Sequence, residues 1–294
     1  MRPLSSNEPR TLDLARHYLS IDRPQAALDA LAKVAGDELE DVDYWAIRAE
    51  ALLELDRPDD AAEAARRGLE RDPEDVELLD ALAISELQRD NFTEADKALR
   101  TALELSPENP ILLSHRALVL ANDKRFDEAR AAVADAMRVD PESTSVLRVR
   151  AQVAVLADDE DAARYIDELL AAAPEDRIAH ALRGNLAVRR KRFGHAARAF
   201  GVAARLDPRD AEIAEVAREA RVAAHPVLAP VRPMWRFGRW RSYFLYLTIL
   251  TVLAAAKLET LRIAVAIVWV SIVLLSWFGP RILRRREKRK YGAF

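Results

Sequence analysis

The 294-residue sequence predicts an all-α fold: a right-handed α-solenoid of about six helix pairs with a capping helix, followed by two C-terminal transmembrane helices. Three observations carry this expectation. Pro73, Pro107, Pro141, Pro174 and Pro208 stand 34, 34, 33 and 34 residues apart, each closing an apolar helical stretch, and a fixed period of that length is the mark of a repeat array. Small residues keep the same step, Ala27, Ala61, Ala95, Ala129, Ala162 and Ala196 in one register and Ala15, Ala49, Ala83, Ala117, Ala151 and Gly184 in another. Near the C-terminus two apolar stretches lie between clusters of arginine and tryptophan.

Composition agrees with helices throughout. Half of the residues are hydrophobic, only 8 are glycine and only 6% are aromatic, while the abundant Ala, Leu, Glu and Arg are strong helix formers. The Ala- and Arg-rich usage fits a bacterial source. A net charge of -3 conceals a division: residues 226–294 hold 13 of the 45 Lys and Arg but only 2 of the 48 Asp and Glu. An acidic body does not suit nucleic acid, and a basic tail with apolar runs points to a membrane surface. The chain has no cysteine, which excludes disulfides, thiolate catalysis and Cys-based metal sites. The opening Met1 to Arg10 has no apolar run behind its charge, so no secretory signal is expected there.

Each unit reads as two amphipathic helices joined by a short turn, as in Val76 to Gln88 and Phe92 to Leu105 with Arg89, Asp90 and Asn91 between them. The small residues fall where two helices cross, and Leu79, Leu82, Leu99 and Ala102 fill the seam beside them. The proline disfavours helical angles in the residue before it and so ends the second helix. Units are expected at about 8–41, 42–75, 76–109, 110–143, 144–176 and 177–210. The first ends with Leu39 instead of proline, and the fifth has a turn shortened by one residue at Asp158 to Asp161; both are places where the stack is expected to bend. Ala211 to Ala223 is the expected cap, with Ile213, Val216 and Ala220 on its apolar side and Glu212, Glu215, Arg218 and Glu219 opposite.

This pattern resembles the tetratricopeptide repeat over residues 8 to 210. Gly184, Ala196, Phe200, Ala203 and Pro208 of the sixth unit match its hallmark positions, with Trp45 in the second unit and Tyr18 in the first. The resemblance implies that the first helix of each pair lines a concave surface. The inward positions are then Asp43, Glu50, Glu54, Glu77, Asp80 and Gln88 in the second and third units, followed by Ser114, Asn122, Arg148, Gln152, Asn185 and Arg189. The first half of such a groove is acidic and the charge turns positive further along, a gradient suited to orienting a peptide. One subclass of the family grips a terminal carboxylate through Lys, Asn and Arg; only Arg148, Gln152 and Asn185 come near that set, so the clamp is not expected. Any one of these groove residues is also compatible with an ordinary solvated helix face.

No catalytic residue, cofactor or metal site is expected. His17, His115, His180, His195 and His225 have no spacing that gathers three ligands. No phosphate loop, nucleophile elbow or HExxH motif occurs.

Residues 225–241 read as a juxtamembrane linker, with Arg232, Arg236, Arg239 and Arg241 suited to anionic head groups and Trp235 and Trp240 to the interface. Residues 242–258 and 263–279 are two apolar stretches of 17 residues each, slightly short of the about 20 that cross a bilayer core, and together read as a membrane hairpin. A shallow hairpin in one leaflet, or one span with one interfacial helix, fits the same residues. Trp277 marks the second interface, and Arg284, Arg285 and Arg286 lead the basic tail of residues 280–294. Cations outside both spans place the two termini in the cytoplasm. The expected function is a membrane-anchored, cytoplasm-facing scaffold that binds protein partners, a basic or mixed-charge segment among them, and touches membrane lipids but not nucleic acid. A self-associating structural protein and an accessory subunit of a transport or envelope-assembly complex are the alternatives.

Overall fold

The computed structural model describes residues 11–34, 36, 39, 41–231, 244, 246–249, 251–252, 256 and 259–291, with the side chains of 231, 259, 262 and 285–291 left aside. The chain falls into two compact units that meet in sequence between Asp161 and Ala162. The first holds α1 (Thr11–Ser20), α2 (Pro24–Leu31), α3 (Val42–Glu54), α4 (Pro58–Leu69), α5 (Val76–Gln88), α6 (Phe92–Leu105), α7 (Pro110–Asn122), α8 (Phe126–Val139) and α9 (Thr144–Leu156). The second holds α10 (Ala162–Ala172), α11 (Arg177–Arg189), α12 (Phe193–Leu206), α13 (Ala211–Ala224), a 3-10 turn (Pro226–Val231) and α14 (Glu259–Tyr291).

Within each unit helices consecutive in the chain pack as antiparallel neighbours, α4 against both α3 and α5, and α12 against both α11 and α13. The close approach is made at the small residues. Ala15, Ala49, Ala83, Ala117 and Ala151 on the first helices, and Ala27, Ala61, Ala95, Ala129, Ala162 and Ala196 on the second, all have 0% exposure. Around them Leu31, Leu52, Leu78, Leu99, Leu112 and Leu120 are wholly enclosed, each burial contributing about 1.5 to 3 kcal/mol. In the sixth pair Gly184 takes the place of alanine because Phe200 needs the room: a Cβ there would lie 2.7 Å from the ring.

Two local devices repeat with the same period. Asp22, Asp56, Asp90, Lys124, Asp158 and Lys191 have left-handed backbones, φ 55 to 63°. They let the next amide turn back on the first helix, as in Arg57 N to Leu52 O and Asn91 N to Glu86 O, a Schellman closure built without glycine. Asp41, Asp75, Asn109, Asp176 and Asp210 cap the following first helix with a side-chain oxygen, each cap worth about 1 kcal/mol. At the equivalent Ser143 the side chain makes no capping bond; its amide donates to Asp140 Oδ1.

Asp158 keeps the left-handed turn, but the residue lost before Ala162 removes the first turn of the next helix. Phe126 starts α8, and the period puts the equivalent start at Glu160; α10 begins at Ala162. The boundary between the compact units falls at this same point.

Two carboxylates are buried between helices and fully engaged. Glu86, 1% exposed, accepts from Arg66, from Arg89 Nη1 at 2.9 Å and from Asn91 Nδ2 at 2.7 Å. Asp96 accepts from Arg100 at 2.7 Å and from Arg116 and Arg125 at 3.0 Å. Burial pushes the Asp96 carboxyl up, but the bonds from Arg116, Arg125 and Arg100 outweigh it and hold it below the usual carboxylate range.

The C-terminal region departs from three expectations. Glu259 to Arg262, expected between the spans, form the first turn of α14, and residues 280–291, expected as a tail, continue that helix through Pro280. Proline removes one amide donor from the helix without ending it, since Gly279 before it adds no side chain to crowd the turn. The first part of the expected linker is folded inward: Leu228, 0% exposed, packs with Val222 of α13 and with Leu275 and Leu283 of α14. Gly279 makes that contact possible, for a Cβ on it would lie 2.8 Å from Leu228 Cδ2. The cap helix thus carries apolar load on its far end as well. Its Glu219 also pairs with Arg284 at 3.2 Å.

Gly184→Ala is expected to lower stability by about 1 to 3 kcal/mol through overpacking against Phe200, and Phe200→Leu in the same chain to recover part of the loss. Chemical denaturation of the single and double variants measures both.

Candidate functional site

The first helices of the first unit bring carboxylates onto one face. At about 100° per residue, Asp43, Glu50 and Glu54 share a side of α3. α3 packs against α1 and α5, so the acids of α3 and α5 meet, with Arg16 of α1 beside them. Asp43 is paired across to Arg16 of α1 at 3.4 Å. Glu50 has its carboxyl raised above the ordinary range by burial first, then by the charge of Glu77 on α5, with Arg16 pulling the other way. Glu54 is raised likewise, by burial and then by Glu50 and Asp22. Carboxylates that push one another's proton affinity up form a site short of positive charge. An added positive charge there would lower the proton affinity of these carboxyls.

The other expected groove residues are distributed differently. Asp80 is half-buried and bonded to His115 Nδ1 of α7 at 2.7 Å, so it belongs to the acidic side with its charge already facing an imidazole. Gln88 is exposed at the end of α5. Ser114 is not a surface group: it is 2% exposed, and its Oγ has no hydrogen-bond partner among the described residues. Its place on α7 beside Leu112 and Leu113 turns it inward, between helices. Asn122 is exposed and donates to Leu118 O at 2.8 Å, while Arg148 and Gln152 are half-buried on α9. Asn185 and Arg189 are exposed on α11 of the second unit.

Three members of the acidic face were not among the expected residues: Arg16, Asp22 and His115. Asp22 sits at the left-handed turn, and His115 lies one repeat plus one residue beyond Asp80, so the repeat register carries the signal that pairs them.

Of the expected interface residues, Arg232, Trp235, Arg236, Arg239, Trp240 and Arg241 lie outside the described residues, as do the side chains of Arg285 and Arg286. Trp277 is exposed on α14 and Arg284 reaches Glu219. Among the described residues one helix is long and apolar enough to cross a membrane, Ile263–Arg284 with a mean hydropathy of 2.2. Most of the first apolar stretch, residues 242–258, lies outside the described residues; residues 244, 246–249 and 251–252 are helical. Tyr246 stacks on Trp269 of α14, ring centroids 4.4 Å apart and 21° between planes.

A tetratricopeptide-repeat family model matches residues 81–154 and 157–211, and a second model of that repeat matches 42–85. No curated protein matches the chain in sequence. Among solved structures, a tetratricopeptide repeat protein from Parabacteroides merdae is 17% identical with a TM-score of 0.65, over 72% of this chain and 83% of that one. TTC0263, a thermophilic TPR protein of Thermus thermophilus, is 21% identical with a TM-score of 0.57, over 62% of this chain and 100% of that one. PilW, described as a widely conserved type IV pilus biogenesis factor, is 19% identical with a TM-score of 0.57, over 70% of this chain and 96% of that one. Likenesses at this identity concern the fold.

The raised carboxyl of Glu50 has a defined consequence for stability. The folded chain holds that proton to higher pH than the unfolded chain, so the contribution is favourable in acid and is lost as pH rises from the ordinary range through the raised value. Glu50→Gln is therefore expected to stabilise the protein by about 0.5 kcal/mol at pH 7. The difference should disappear near pH 4, as followed by denaturant titration at the two pH values.

Proposed function

The chain belongs to the tetratricopeptide-repeat family, and from that premise we propose that it is a membrane-anchored, cytoplasm-facing scaffold whose acidic face on α3 and α5 holds a basic segment of a partner protein. Tetratricopeptide arrays are protein–protein interaction scaffolds, typically without catalysis of their own. The observation that carries the reading is the mutual crowding of Glu50, Glu54 and Glu77, with the carboxyls of Glu50 and Glu54 held above their ordinary range. A folded surface kept in that state is relieved by an incoming lysine or arginine, so binding converts repulsion already present into attraction.

The anchor is supported by α14, by the apolar window Ile263–Arg284, and by the stacking of Tyr246, from the first apolar stretch, on Trp269 of α14. Two spans with both termini in the cytoplasm follow from the excess of arginine and lysine before the first stretch and after the second. Tethering raises the local concentration of the repeats toward membrane-bound partners.

Reversing Glu50, Glu54 and Glu77 to lysine, with Asp80 kept because it holds His115, is expected to weaken binding of a lysine- and arginine-rich probe peptide by roughly 100-fold at low salt, with helix content unchanged. Anisotropy titration of the labelled peptide checks it, and undiminished affinity would remove the acidic face from the proposal. Single cysteines placed at Glu259 and Gly292 in this cysteine-free chain give the topology. Labelling from outside intact cells is expected at Glu259→Cys and not at Gly292→Cys.

A further inference from the structure

In the second unit the helices α11 and α12 carry an unbalanced charge: residues 177–206 hold eight Lys and Arg and not one Asp or Glu. Several of these cations are satisfied within the fold. Arg177 pairs with Asp207 and Asp210 and Arg183 with Asp167, while Arg189 and Lys191 have partners of their own. Arg190 and Arg192, in the turn between the two helices, are exposed and make no ion pair among the described residues.

Helix topology fixes where that turn lies. α12 packs against both α11 and α13, and consecutive helices run antiparallel. The end of α11, the start of α12 and the end of α13 therefore lie together, and Ala187, Ala196 and Ala220 share one buried cluster there. The opposite end is marked by Arg177 at Asp207 and Asp210.

At the end that holds Arg190 and Arg192, the chain leaves α13 and seats on α14. Glu219 pairs with Arg284 at 3.2 Å, Val222 and Leu228 pack with Leu275 and Leu283, and Leu228 lies against Gly279. From Glu219 to Leu228 the contacts thus move from the polar end of α14 back into its apolar window, Ile263–Arg284. The basic turn is on the side toward which this path runs. Glu219, the last acid of α13, is already paired, so it leaves the two arginines their charge.

We propose that the α11–α12 turn docks on the anionic headgroups of the leaflet at which α14 emerges, with Arg190 and Arg192 donating to lipid phosphates. This rests on the reading of α14 as a membrane anchor. A guanidinium fork pairs with phosphate oxygens, and an anionic surface attracts cations held within a Debye length of it. The joint at Leu228 is small, and this contact gives the repeats a second hold on the membrane. An acidic protein or nucleic acid would have to enter between the turn and the bilayer, which already occupies that side.

Gly194, exposed near the start of α12, has room for a side chain, since an added Cβ meets nothing within 4 Å. Gly194→Cys supplies the single thiol in this cysteine-free chain. The full chain is placed in nanodiscs of phosphatidylcholine, alone or mixed with phosphatidylglycerol, and alkylation by a neutral polyethylene-glycol maleimide reads the undocked fraction. Labelling is expected to be roughly tenfold slower in the anionic discs and to recover at high salt. Added to Gly194→Cys, Arg190→Gln and Arg192→Gln should each restore the rate about fivefold, and Arg205→Gln, at the other end of α12, should restore none. Arg209→Cys, in the turn at the opposite end, should label equally in both discs. A chain that does not elute with the discs overturns the anchor and the docking together. One that elutes with them but labels equally fast at Gly194→Cys in both lipids overturns the docking alone. So does slow labelling that persists with both arginines replaced and helix content retained, or protection by polyglutamate or an RNA oligomer where phosphatidylglycerol gives none.

Discussion

The close crossing of helices at fully enclosed alanines is the constraint on which the rest of this structure depends. Ala49 and Ala61, Ala83 and Ala95, Ala117 and Ala129 all have no exposed surface. Anything larger at these points would separate two backbones, and with them every contact along the pair. Gly184 shows the same limit from the other side, where the bulk of Phe200 has displaced even a methyl group. The left-handed turn residues and the aspartate caps serve this crossing. They fix where one helix ends and the next begins, so that each alanine arrives opposite its partner.

Close spacing also decides the electrostatics. Glu50 and Asp96 are both carboxylates on helices of the first unit, yet their proton affinities move in opposite directions. Asp96 is met by three arginines that reach it from the next repeat and from its own helix, and their bonds exceed the cost of burial. At Glu50 burial acts first and the charge of Glu77 adds to it, with Arg16 offsetting only part of the effect. The difference lies in the neighbours, and the neighbours are set by repeat stacking. One interface has used its acids for cohesion, while on the adjoining face burial and the charge of Glu77 hold the Glu50 carboxyl above its ordinary range.

At the C-terminal end of the repeats, the cap helix does more than cover the last pair. Val222 at its end, Leu228 of the 3-10 turn, and Leu275 and Leu283 of α14 form a small apolar cluster, and Glu219 of the cap pairs with Arg284 of α14. Gly279 admits Leu228 to the helix surface. A chain read only for hydropathy divides at Gly279–Pro280 into span and tail. The folded chain runs one helix through that point because neighbouring side chains pack on both sides of it.

Periodicity alone determined the repeat, the pairing of helices, the enclosed small residues and the position of the shortened turn, because those features repeat at a fixed step and each copy reinforces the others. Asp43, Glu50, Glu54 and Glu77 were legible as one acidic face for the same reason. Ser114 was not, since a polar residue at a groove register looks alike whether it meets water or the side chains of an adjacent helix, and only the folded arrangement settles which. The partners of Glu86 and Asp96, the Asp80–His115 bond and the seat of Leu228 were decided by the tertiary structure. Each depends on the rotation of one helix about its neighbour, a quantity that spacing along the chain does not contain.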